Sequence, residues 1–140
     1  KVKASAFREE LKADEVLITA DTVVCIHDRI LGKPADRKEA ISMLQELSGN
    51  RHLVVTGVSV TTRTEQLSFS SRTDVFFKHL SNEEIEFYVD TYKPFDKAGA
   101  YGIQEWIGYI GIERIEGSFY NVMGLPIQRL YETLRKLQFQ

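Results

Sequence analysis

Cysteine is almost missing from this chain: Cys25 is the single one among 140 residues. That excludes an intramolecular disulfide and any paired-thiol metal site, because both need at least two cysteines. Cys25 lies in an apolar run and reads as a small core residue. Proline is scarce, with three in the chain, and no linker, internal repeat or low-complexity tract divides it. Long apolar runs are also lacking; none approaches the ~20 residues that span a bilayer. Nor is there an excess of positive charge, since 18 Lys and Arg face 20 Asp and Glu for a net of −2. Binding nucleic acid through its phosphates needs a basic face, so that class is disfavoured. No signal peptide is legible, which makes the cytoplasm the expected compartment. What is present is ordinary, with 43% hydrophobic and 27% charged residues. One domain over residues 1–140 with its own apolar core is the expectation.

The apolar spacing gives a mixed order of elements. Val2 to Leu11 reads as the end of a helix, with Val2, Ala6, Phe7 and Leu11 on one face. The run Val16 to Ala20 reads as a strand buried on both faces, of the parallel-sheet kind. Val23–Ile26 and Ile30–Leu31 flank His27-Asp28-Arg29 as a short hairpin. Asp36 to Ser48 is a helix capped by Asp36, with Glu39 completing a capping box and Gly49 ending it. His52–Thr62 and Gln66–Phe77 read as an antiparallel strand pair, and Ser81–Thr91 as a second capped helix. Tyr92 to Glu105 is a loop rich in Lys, Gly and Asp, and Trp106–Ile115 a further strand. Pro126 suits the first turn of a last helix, whose stripe is Ile127, Leu130, Tyr131, Leu134 and Leu137. Helices placed between strands give an α/β class with a mixed sheet.

Polar residues gather in three places. Asp21-Thr22 follows the first strand, Gly32-Lys33-Pro34 follows the hairpin, and Asp96-Lys97-Ala98-Gly99-Ala100-Tyr101-Gly102-Ile103-Gln104 fills the long loop. In open α/β sheets ligands sit beyond strand carboxyl ends, where Asp21 would stand. On position alone Asp21 and Thr22 serve equally well as turn residues. Two lysines and close-approaching glycines near a carboxylate suit an anionic ligand, although Gly-Lys-Pro alone is also a common solvated turn. The Gly-rich loop does not have P-loop spacing. Polyphosphate chemistry needs charge neutralisation, a metal and a positioned nucleophile. Asp21 could orient or deprotonate water, or hold Mg2+. The three histidines are scattered, and the serines lack a nucleophile elbow.

Taken in order, Thr19-Ala20-Asp21-Thr22-Val23-Val24, Leu31-Gly32-Lys33-Pro34, His52 with Val55-Thr56-Gly57-Val58, the Asp96–Gln104 loop and Val122-Met123-Gly124-Leu125-Pro126 resemble the Maf family of nucleoside triphosphate pyrophosphatases. The resemblance spans nearly the whole chain. It implies an elongated mixed sheet flanked by helices, with two lobes and a cleft. It also implies hydrolysis of a nucleoside triphosphate to the monophosphate and pyrophosphate with Mg2+ or Mn2+.

On that resemblance Asp21 takes the proton-acceptor position and is the metal-facing carboxylate. Thr22 and Gln104 fall at positions that select the substrate. Lys33 and Lys97 face the phosphates, and Lys3 matches a further basic position. The Asp-Lys-Ala-Gly…Gly-Ile-Gln loop looks like the branch acting on dTTP and UTP. A carboxamide offers a donor and an acceptor together, which suits the adjacent N–H and carbonyl of uracil and thymine. The family's N-terminal strand, Ser/Arg-rich loop and acidic residue have no counterpart within these residues, so the domain reads as truncated at that end. An inactive nucleotide-binding module, or one that interacts with the cell-division machinery given the family's link to septum formation, is the alternative. A homodimer is implied only by analogy.

Overall fold

The computed structural model describes Lys12 and residues 15–137. The helix expected over Val2 to Leu11, with Lys3, lies outside the described residues. In chain order the elements are β1 (Leu17–Ile26), β2 (Arg29–Leu31), α1 (Arg37–Leu47), β3 (Arg51–Thr61), β4 (Gln66–Phe77) and α2 (Asn82–Tyr92). A 3₁₀ turn (Ala98–Ala100), α3 (Trp106–Gly111), β5 (Ile112–Glu116), α4 (Phe119–Met123) and α5 (Ile127–Lys136) complete them. The class is α/β, as expected.

The sheet runs β2-β1-β3-β4-β5. All four pairings among the described residues are antiparallel, which corrects the expectation of a mixed sheet. Short connections are one reason. Ile26 pairs with Arg29, leaving a two-residue turn in which His27 and Asp28 have φ of 49° and 61°. Both positive angles are what a tight I′ hairpin requires. Thr62 N–H bonds to Glu65 O and closes the four-residue link from β3 to β4. A parallel neighbour would need a long crossover instead.

Capping fixes the helices. The Asp36 carboxylate accepts from Glu39 N–H at 2.8 Å, while Glu39 reaches back one residue further than expected, to Ala35 N–H. At α2 both bonds of the Ser81–Glu84 box are made. Two corrections concern the C-terminal third. Residues 106–111 are helical, not extended, and Ile107 and Gly111, four apart, face the core. Leu130 on α5 and Leu137 directly after it are buried, but Ile127 and Tyr131 are 51% and 57% exposed. Cys25 is half-buried, not part of the core.

Alternate residues of β3 carry one face of the sheet. Val54 joins a large apolar cluster with Leu44, Leu47, Ile85, Val89 and Ile107, and the buried His52 ring packs on two of its members, Phe77 and Tyr101; Val58 and Val60 join a smaller cluster with Leu130 and Leu137. Thr56, fully buried, falls between them. Two apolar lobes on one sheet, with a polar gap, are thus written into the period-two pattern of a single strand.

His52 is buried beside the Tyr101 hydroxyl, with Nε2 at 2.6 Å. Burial lowers its pKa from 6.5 to about 4. The unfolded chain therefore takes up a proton near pH 6.5 and the folded one only near pH 4. Stability is full above that interval and falls as pH drops through it, by on the order of 3 kcal/mol. Thermal unfolding from pH 7 to pH 4 should show this slope, and His52→Gln should flatten it. Equal slopes in the two proteins would assign the effect to other groups.

Candidate active site

Asp21 and Thr22 lie in the middle of β1, opposite Gly57 and Thr56 of β3. The strand does not stop at Ala20, so neither the strand-end position nor the turn reading holds. What singles Asp21 out is different. Aspartate is depleted in strands, and this one is exposed, with a carboxylate that makes no hydrogen bond or ion pair with another described residue. A residue that breaks a local rule without structural compensation is a candidate for function.

Thr22 is half-buried and tied downward. Its Oγ1 lies 2.8 Å from Thr56 Oγ1, and Thr56 Oγ1 donates to Asn121 O at 3.2 Å. Because Thr56 commits its proton to that carbonyl, Thr22 commits its own to Thr56. Thr22 then presents lone pairs, not a proton, to the cleft. Asn121 anchors the chain from below, donating Nδ2 to Val54 O at 3.2 Å and to Thr73 Oγ1 at 2.8 Å. Gly124, in the left-handed region at φ 115°, ends α4 next to Thr22.

The two lysine loops meet through backbone. Gly99 N–H donates to Gly32 O at 3.1 Å. Gly99 has φ +72°, and a Cβ there would fall 3.1 Å from Val24 Cγ1 and Cγ2, so glycine is needed both for the turn and for the approach. Lys33 and Lys97 are thereby held on adjoining loops. Lys97 Nζ lies 3.6 Å from Asp96 Oδ1, and its stem fills the space that a Cβ on Gly102 would take. Lys33 is exposed and makes no ion pair with another described residue.

Gln104 is presented by a turn, Gly102 to Glu105, closed by Glu105 N–H to Gly102 O at 3.0 Å. Asp21, Thr22, Lys33, Lys97 and Gln104 all line one cleft of about 430 Å³. Val24, Val54, Tyr101 and Ile103 from the large cluster and Ala20 from the small one complete its walls. The cleft therefore occupies the gap between the lobes. Lys3 lies outside the described residues.

No group of three His, Cys, Asp or Glu side chains among the described residues could by itself hold a metal ion. Of the carboxylates in the cleft, Asp96 faces Lys97 and Glu105 accepts from the Tyr88 hydroxyl. Asp21 is the uncommitted one. A hard cation that keeps several waters and takes one carboxylate plus substrate phosphates fits that donor set.

Sequence reasoning missed Thr56, Asn121 and Tyr88. Thr56 and Asn121 are polar yet fully buried, which no periodicity reveals. Tyr88 reads as a core aromatic on the inner face of α2, and its ring is one; only its hydroxyl has another use.

The sequence profile described as Maf-like protein matches residues 1–137. The chain is 58% identical over 135 residues to a dTTP/UTP pyrophosphatase of Bacteroides thetaiotaomicron, covering 96% of this chain and 70% of the relative. It is 56% identical to one from Parabacteroides distasonis, covering 95% and 69%, and 57% identical to one from Porphyromonas gingivalis, covering 96% and 69%. With a profile match over nearly its whole length and relatives this similar, the chain belongs to the Maf-like protein family.

Proposed function

We propose that this protein hydrolyses dTTP and UTP to the nucleoside monophosphate and pyrophosphate. The observation that carries the reading is the convergence of Asp21, Thr22, Lys33, Lys97 and Gln104 on one cleft. The similarity to dTTP/UTP pyrophosphatases supports the choice of substrate. In the proposed reaction a water oxygen bonds to the α-phosphorus and Asp21 takes the proton. The bond from that phosphorus to the oxygen bridging the β-phosphate breaks, and pyrophosphate leaves. Lys33 and Lys97 offset the negative charge of the phosphates without needing to rearrange. A divalent cation, Mg2+ or Mn2+, supplies further charge neutralisation when bound, with Asp21 as one ligand.

Thr22 and Gln104 read the base. Thr22 offers an acceptor, as its bond to Thr56 dictates. Uracil and thymine carry a donor at N3, whereas cytosine has an acceptor there. Gln104 can match both the N–H and the carbonyl of the keto bases.

The test is pyrophosphate release with Mg2+ from dTTP, UTP, CTP and GTP. Release should favour dTTP and UTP, and Gln104→Ala should cut the dTTP-over-CTP preference by about tenfold or more, as losing a paired polar contact does. No release from any nucleotide would overturn the reaction. A preference unchanged in Gln104→Ala would overturn the role of that side chain alone.

A further inference from the structure

The geometry points to Tyr88 as the positioning residue for Gln104: its buried hydroxyl clamps both ends of the turn that presents the carboxamide. This rests on the reading of Gln104 as a base-reading residue. Tyr88 stands on the inner face of α2, 0% exposed. Its oxygen accepts from Gly102 N–H at 3.1 Å and its proton goes to Glu105 Oε1 at 2.5 Å. Gly102 and Glu105 are the first and last residues of the turn, already joined by the Glu105 N–H to Gly102 O bond. One hydroxyl thus holds the entry through main chain and the exit through a side chain.

The two residues in between divide the labour. Ile103 is buried in the large apolar cluster, and Gln104 is exposed in the cleft. With both ends and Ile103 fixed, the backbone of Gln104 has little freedom left. Preorganisation of this sort is what lets a single carboxamide discriminate between donor and acceptor patterns.

The clamp itself is rigid. The Tyr88 ring stacks on Tyr92, one helical turn away, at 5.1 Å and 24°. The capping box of Ser81 and Glu84 fixes the start of the same helix. Burial, then the bond to Glu105, push the Tyr88 hydroxyl well above the usual tyrosine range, so it keeps its proton and stays a donor. An aromatic needed only for packing would not require the oxygen, since a phenyl ring fills the same volume.

Tyr88→Phe keeps the ring and removes the oxygen. The expected result is a fall of about tenfold in the dTTP-over-CTP ratio of kcat/KM, the size of one misplaced hydrogen bond, with kcat for dTTP changing less than KM. Amide exchange at Gly102 and Glu105 should quicken. In a Gln104→Ala background, Tyr88→Phe should not lower the ratio further, while any loss of thermal stability should persist. Glu105→Gln, which keeps an acceptor for the hydroxyl, should retain most of the ratio. Additive losses in the double variant would reduce Tyr88 to a packing residue and overturn the inference. So would a ratio that Gln104→Ala collapses and Tyr88→Phe leaves intact; there only the clamp falls. If Gln104→Ala leaves the ratio untouched, the reading of Gln104 falls and the clamp's role in selectivity falls with it.

Discussion

Asp21→Asn leaves a folded protein that releases pyrophosphate at least about 10²-fold more slowly, the scale on which general-base catalysis works. The amide is nearly isosteric with the carboxylate, but it takes no proton from water and brings no charge to a cation. Both proposed uses of Asp21 vanish together. Stability should stay within about 0.5 kcal/mol, the usual range for a surface change away from caps and networks, because Asp21 is exposed and its carboxylate is bonded to no other described residue. Turnover of dTTP measured beside the thermal midpoint separates the two. A variant that keeps a tenth of its activity would sink the assignment. A variant that unfolds would show Asp21 to be part of the scaffold.

Gly108→Ala gives the largest expected loss of stability. Alanine inside a helix normally gains about 1 kcal/mol over glycine. Here a Cβ on Gly108 would fall 2.0 Å from Ile103 O and 2.7 Å from its carbonyl carbon. Those are main-chain atoms, which cannot swing aside as a long side chain does. Either α3 lifts Ile107 and Gly111 away from the core they face, or the Gly102–Glu105 turn moves, at a cost of about 3 kcal/mol or more, the upper end for overpacking. Denaturant unfolding should show the loss, and the dTTP-over-CTP ratio should fall with it because Gln104 rides on that turn. Gly32→Ala is the control for stability, since its Cβ would meet nothing within 4 Å. A Gly108→Ala protein as stable as its parent would mean that α3 does not rest on Ile103.

How much of this was legible in the sequence depended on range. Local codes read well: Asp36 and Ser81 cap their helices, and His27-Asp28 turns the hairpin. The 106–111 segment misled because Trp106, Ile107, Tyr109 and Ile110 are dense enough to pass for a strand; the close seat of Gly108 on Ile103 is a tertiary fact. Val16 to Ala20 misled in another way. It looks like a complete buried strand, yet Leu17 to Ala20 are only the start of β1, and Asp21 sits where the pairing with Gly57 continues. The site residues were found by their resemblance in order along the chain. Their convergence was not legible, because the contact that joins the two lysine loops spans residues 32 to 99 and involves no side chain. Thr56, Asn121 and the Tyr88 hydroxyl stayed hidden for a similar reason: a buried polar group announces itself only through its partners.

That contact has a consequence for how the protein can change. The tie between Gly99 N–H and Gly32 O is main chain to main chain, so substitution at Lys33, Lys97 or Asp96 leaves it standing. The charges at these positions can be exchanged, weakened or reversed one at a time while the loops that carry them keep their spacing. Gly99 cannot be exchanged so freely, with its positive φ and Val24 pressed against it. The cleft is thus divided into a main-chain frame that tolerates almost no drift and the side chains mounted on it, whose charges can change without moving the frame.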